Sequence, residues 1–172
     1  MRRLFSLWII GLIPSLVFAG PDSSTAETVS LVKRDTGTFY LSGEIRGYGE
    51  VQLLLDTGSS YMVVGEPVMA SLKESGAAEF SRDIRGTMAD GRPRVVPLYR
   101  VAALRLGEHC WVHDVEVAVL DKGTRAILGM DVLSRLAPFT FSTVPPQLGL
   151  SGCRPEANGT LAEASESAGS IP

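Results

Sequence analysis

The run Val51-Gln52-Leu53-Leu54-Leu55-Asp56-Thr57-Gly58-Ser59-Ser60-Tyr61-Met62-Val63-Val64 constrains this chain more than any other segment. Two apolar stretches of strand character flank one carboxylate, one glycine and three hydroxyl residues. A carboxylate delivered by a buried strand costs several kcal/mol to desolvate unless it is paired, hydrogen-bonded or neutralised. Gly58 allows a tight turn that brings backbone amides to Asp56, and Thr57, Ser59 and Ser60 add hydroxyl donors.

Asp-Thr-Gly is also an ordinary turn tripeptide, and the chain carries its own control in Asp35-Thr36-Gly37. That copy follows Lys33-Arg34, so no apolar strand leads into it, and it reads as a solvated turn before a strand at Thr38-Phe39-Tyr40-Leu41. The two copies lie 21 positions apart, too close to serve as the active loops of two fused lobes.

A length of 172 residues fits one domain, and 45% hydrophobic with 20% charged residues is enough to build a core. A net charge of −3 without a long basic run gives no sign of nucleic-acid binding. Met1-Arg2-Arg3 followed by the apolar stretch Leu4 to Ala19 reads as a leader. With Pro14 and two serines it is short for a membrane span, which needs about 20 residues. Residues 1–19 are therefore expected to be a signal peptide cut after Ala19, with a second candidate site after Ala26; an uncleaved N-terminal anchor is the alternative. Either way the domain is exported, to the periplasm or medium or held outside the cytoplasm at a membrane. Loss of Arg2 and Arg3 would leave 14 basic against 19 acidic residues, a net −5.

Residues 20–28 are expected to be a linker, 29–153 the folded domain, and 154–172, rich in Glu, Ala, Ser and Gly, a disordered tail. Asn158-Gly159-Thr160 fits a glycosylation acceptor but carries weight only in a eukaryotic secretory route. Cys110 and Cys153 leave two readings open, a disulfide formed in an oxidising compartment or two unpaired thiols, one in a strand and one in a loose tail.

Elsewhere the signals are mostly β. Residues 38–46 and 50–55 read as strands around the turn Gly47-Tyr48-Gly49, and 61–64 as a short strand. Residues 66–75 suggest a helix, with Pro67 near its start and Gly76 past its end. Long strands are expected over 95–106 and 111–120, the second with Trp111, Val115, Val117 and Val119 on one face and His113 as the polar exception. A short strand at 126–128, a helix at 131–136 and a terminal hairpin of 139–142 with 147–150 around Pro145-Pro146 complete the pattern. Many short strands with little helix imply a closed or partly closed β architecture.

Two further segments acquire meaning from their order after Asp56. Arg85-Gly86-Thr87-Met88-Ala89-Asp90-Gly91 is turn-rich and sits between strands; by itself it is a surface hairpin. Ala126-Ile127-Leu128-Gly129-Met130-Asp131 runs from an apolar strand through glycine into a helix. Over residues 36 to 150, the active-loop run followed by these segments resembles the retropepsin-like (single-lobe, retroviral-type) aspartic proteases, here as an exported member of bacterial type. The resemblance implies a mainly β, single-lobe closed barrel or sandwich with a short C-terminal helix and a flap hairpin. It makes Asp56 the catalytic residue and Thr57, Gly58 and Ser59 its support, with Ser59 bonded to the outer oxygen of Asp56. Thr87, Met88, Ala89, Asp90 and Gly91 become the flap that closes over peptide, and Ile127, Leu128 and Gly129 the strand packed beside the active loop. Pro145-Pro146 makes the terminal hairpin atypical for the family.

Such chemistry needs two carboxylates, and this chain offers one credible copy. The resemblance implies a homodimer in which Asp56 of each subunit meets its mate at a two-fold axis, Thr57 bracing the loops across it. The expected function is endopeptidase cleavage of an extended peptide. The rival from another class is a non-catalytic module that keeps the fold for dimerisation or peptide binding; a third reading is a structural envelope protein in which Asp56 only ties a turn. No metal and no cofactor are expected. His109 and His113 lie about 13 Å apart on a strand, and Gly58-Ser59-Ser60 lacks the flanks of a serine nucleophile elbow.

Overall fold

The computed structural model describes residues 25–35 and 37–154. The expected leader at 1–19, residues 20–24 of the expected linker, and the expected tail beyond Arg154 with its acceptor motif lie outside the described residues. In chain order the elements are β1 (Thr25–Ser30), β2 (Val32–Lys33), β3 (Phe39–Ile45), β4 (Gly49–Leu55), β5 (Met62–Gly65), α1 (Glu66–Glu74), β6 (Ala78–Thr87), β7 (Pro93–Leu106), β8 (Cys110–Leu120), β9 (Ile127–Leu128), α2 (Met130–Arg135), β10 (Phe139–Thr143) and β11 (Pro146–Cys153).

Six strands close on themselves. The order β3-β4-β9-β5-β8-β7 is hydrogen-bonded throughout, and β7 returns to β3 through Gly43↔Leu106 and Ile45↔Leu104. Closure gives each of the six a partner on both sides, while β2 extends from β3 and β6 from β7. The barrel interior is aliphatic: Leu41, Ile45, Leu53, Met62, Leu104, Leu106, Leu128 and Leu133 are fully buried, each such side chain contributing about 1.5–3 kcal/mol. The helices cover the barrel, α1 through Met69 and Leu72 and α2 through Val132 and Leu133. The class is therefore the one expected, a mainly β closed barrel, with α1 as a second helix beside the C-terminal one.

Three expectations are corrected. Part of the supposed linker is strand: Thr25 to Ser30 pairs with β11, Thr28 opposite Gly149 and Val29 opposite Leu148. The polar residues Thr25, Glu27 and Thr28 conceal it, because an edge strand with one wet face is held by ladder hydrogen bonds and by Val29 alone on the buried side. Second, β6 is a paired strand of ten residues; Arg85, Gly86 and Thr87 oppose Val95, Arg94 and Pro93, so the turn is confined to Met88–Arg92. Its charged residues hide it because β6 pairs on one side only. Third, the inward face of β8 does not run through Trp111. Cys110 and Val112 point inward, then Val115 and Val117, the phase changing at His113 and at Asp114, whose φ is +51°. Trp111 faces outward beneath the guanidinium groups of Arg46 and Arg105.

The cysteines are joined. Cys110 at the start of β8 bonds Cys153 at the end of β11, with an S–S distance of 2.05 Å and no exposure at either residue. Cys153 thus belongs to the core rather than to a loose tail, and Arg154 still bridges Trp111, whose N–H donates to the Arg154 carbonyl at 3.2 Å. The link fastens the three-stranded sheet β1-β11-β10 to the barrel.

Candidate active site

The barrel places Asp56 through a strand insertion. β9 lies between β4 and β5, parallel to the first (Leu54↔Ile127, Leu55↔Leu128) and antiparallel to the second (Val63↔Ile127). The loop from Asp56 to Tyr61 must therefore cross the end of β9 to join the strands on either side. Asp56 N–H donates to the Leu128 carbonyl at 3.2 Å, which continues the ladder up to the carboxylate itself. Ile127, Leu128 and Gly129 thus lie beside the loop.

Gly129 is required there by space. A Cβ on it would sit 2.2 Å from the Tyr61 carbonyl oxygen and 3.0 Å from that of Ser59. The close approach lets the loop cap α2: Met130 N–H donates to the Ser59 carbonyl at 2.8 Å and Asp131 N–H to that of Ser60 at 3.0 Å. The first N–H groups of a helix have no partner inside it, and α2 has no side-chain cap. Loop and helix therefore satisfy one another.

Within the loop, Gly58 N–H donates to Asp56 Oδ1 at 2.9 Å, and Ser59 N–H to the Asp56 carbonyl at 3.3 Å. The carboxylate is half-buried, and Thr57 is exposed. Ser59 departs from expectation. Its Oγ donates to the Tyr61 carbonyl at 2.8 Å rather than to the outer oxygen of Asp56, because the loop doubles back over Gly129 and turns this side chain toward its own exit. Asp35, the control copy, lies in an exposed turn where Gly37 N–H donates to the Arg34 carbonyl at 2.9 Å.

The β6–β7 hairpin supplies the candidate flap. Met88 N–H donates to the Arg92 carbonyl at 2.9 Å and Gly91 N–H to that of Met88 at 2.8 Å, while Asp90 Oδ1 accepts Arg92 N–H at 3.0 Å. Gly91 takes φ +80°, a conformation costly for residues with a side chain. Thr87, Ala89, Asp90 and Gly91 are exposed. Ile84 and Met88 join a second apolar cluster, apart from the main core, of Val63, Val96, Leu98 and Ala118 with Tyr61, Leu120 and Ile127. Flap, loop exit and β9 thus share one apolar surface.

Polar groups that sequence reasoning left without a role connect the same parts. Arg82 of β6 forms a two-pronged ion pair with Glu116 of β8, Nη2 to Oε2 at 2.8 Å, and its guanidinium also meets the Tyr61 hydroxyl. The Arg82 pairing holds the Glu116 carboxyl below the usual carboxylate range. Asp131, quoted only as the end of the Gly129 motif, proves to be a partly buried carboxylate under the loop. Its only sequence signal was its position after Gly129. Among the described residues no group of three or more His, Cys, Asp or Glu side chains is placed to hold a metal ion.

A family model described as aspartyl protease matches residues 41–132, more than half of the chain. The chain belongs to the aspartyl protease family. The matched stretch runs from β3 to α2 and so takes in the Asp56 loop, the hairpin and the Gly129 crossing. Among solved structures, the chain is similar to a retropepsin-like aspartic protease from Rickettsia conorii, at 18% identity and a TM-score of 0.55 over 74% of this chain and 92% of that one. At that identity the likeness speaks for the fold. No curated protein matches the chain.

Proposed function

We propose that this aspartyl protease family member is an endopeptidase that works as a homodimer, with the Asp56 carboxylates of two subunits facing each other. The observation that carries the reading is the loop: a half-buried carboxylate stands at the mouth of a barrel, oriented by Gly58 N–H and by a backbone bond to β9. One subunit supplies one such group. Two carboxylates about 3 Å apart hold one proton between them. The charged member takes a proton from water as its oxygen bonds the scissile carbon, and the protonated member polarises the carbonyl. Transfer of a proton to the amide nitrogen then lets the C–N bond break. The apparent pKa values belong to the pair.

Thr57, exposed on the single subunit, would brace the two loops across the axis. Residues 87–91 would close over an extended peptide that adds main-chain hydrogen bonds, with side chains in alternating pockets. Tyr61, Ile84, Met88 and Ile127 give those pockets apolar walls. The leader at residues 1–19 supports export, with the domain outside the cytoplasm either free or anchored at a membrane.

The test is digestion of a diverse peptide library by the purified protein with and without Asp56→Asn. Cleavage that disappears in the variant supports the reading. A folded protein that binds peptides and cleaves none would replace it with a non-catalytic module.

A further inference from the structure

Asp131 is the second residue of α2, directly beneath the active loop. Its N–H donates to the Ser60 carbonyl, and the Met62 and Val132 N–H groups lie against its carboxylate. One residue therefore grips the chain on both sides of Tyr61. Yet Oδ1 is buried with no hydrogen-bond partner among the described residues. Leaving a buried acceptor unmatched is costly; a carboxylate in the first turn of α2 suits the helix dipole, but an exposed one would do so without that cost.

The surroundings do not supply the missing donor. A cavity of about 480 Å³ beside Asp131 is lined by Arg100 of β7, Asp114 and Glu116 of β8 and Arg135 of α2. Arg135 directs its guanidinium to the carbonyls of His113 and Asp114, and Glu116 is held by Arg82. Two cations and two further carboxylates nearly balance, so the cavity offers little net charge to stabilise an ionised Asp131.

We propose that Asp131 is a positioning residue for the peptidase reaction: by holding Ser60 and Met62 it fixes the exit of the active loop and hence the place of Asp56. The inference rests on the proposed function. Burial pushes the Asp131 carboxyl up to about 6, against the opposing pull of the Val132 and Met62 N–H groups and of Arg135. In mildly acidic solution it is largely neutral, and its buried oxygen then carries no charge. Above that range it is ionised, a form that burial penalises and that the Met62 and Val132 N–H groups favour.

The experiment uses the full chain, wild type against Asp131→Asn and Asp131→Ala, in two readouts. Peptidase kinetics with Asp131→Ala should show kcat lowered about tenfold with KM within about twofold, and Asp131→Asn should restore kcat at about pH 5 because its amide oxygen keeps the Met62 contact. Hydrogen exchange, corrected for the intrinsic pH effect, should quicken about tenfold over residues 57–62 in Asp131→Ala while β7 and β8 hold. Unchanged kcat and unchanged loop exchange in Asp131→Ala would overturn the proposal. So would faster exchange throughout the barrel, which would make Asp131 a support of the whole fold. A wild type that cleaves nothing would sink the peptidase reading, while loop-confined exchange would still support Asp131 as the anchor of the loop.

Discussion

The Tyr61 carbonyl oxygen and Gly129 are in such contact that a single added carbon on Gly129 would lie 2.2 Å from that oxygen. Both partners are backbone, so neither can swing aside as a flexible side chain would. Gly129→Ala should therefore push the active loop off α2, break the Met130 and Asp131 caps and cost about 1–3 kcal/mol, as overpacking does. Urea unfolding would read the stability loss, and the peptidase assay a larger proportional loss. A variant of wild-type stability and activity would show the loop to be free of this contact.

Asp56→Asn keeps the shape of the loop and removes the proposed shared-proton pair, so cleavage should fall at least about 10³-fold. Asp35→Asn alters only an exposed turn and should leave activity within a few-fold. Equal loss in both variants would refute the separation of the two Asp-Thr-Gly copies.

In the proposed homodimer a monomer holds half a site, so activity should rise more steeply than linearly with protein concentration at the dilute end. Thr57→Ala should shift that curve to higher concentration without unfolding the subunit, by about 1 kcal/mol per lost cross-axis hydrogen bond. Light scattering on the same dilution series provides the check. The hairpin of β10 and β11 around Pro145-Pro146 is a candidate for part of the seam, although two prolines cannot donate ladder bonds. A protein that stays monomeric and cleaves in proportion to its concentration rules the shared site out.

Cys110 and Cys153 are 43 positions apart and both fully buried. Opening that link should cost about 3–4 kcal/mol by freeing the unfolded chain, and more if β11 then leaves the barrel. Denaturant midpoints of wild type with and without reductant, and of Cys110→Ser/Cys153→Ser, should differ accordingly. Coincident midpoints would show the core to be sufficient without the bond.

Asp131 also shapes the pH dependence of stability. Its folded-state carboxyl is raised, from 3.8 to about 6, so the folded state binds the proton more tightly than the unfolded one. That contribution is present in full below about pH 4 and is lost as pH rises through about 6. Melting temperatures of wild type and Asp131→Asn should therefore diverge in favour of the variant between about pH 4 and 6 and keep that difference above it. Parallel curves across this range would contradict it.

Much of the barrel was legible because local chemistry and tertiary demand agree. Val51–Leu55 reads as strand and is strand; Pro67 and Gly76 bound a helix that ends where they imply; Leu128-Gly129 leads from strand to helix. Asp56 was legible for the same reason, as a carboxylate at the end of an apolar run that only an arranged set of donors could tolerate. What the residues did not disclose depends on partners distant in sequence. Thr25–Ser30 is strand only because β11 lies beside it, and β6 only because β7 does. The change of phase at Asp114 moved Trp111 outside, which a strict period of two could not foresee. Pairing of Cys110 with Cys153 was one of two open readings until the sheet brought their Cα atoms to 4.7 Å. The destination of the Ser59 hydroxyl and the orphaned oxygen of Asp131 belong to the tertiary structure alone. Both arise where β9 forces the loop across Gly129, and a crossing of three segments leaves no periodic trace in any one of them.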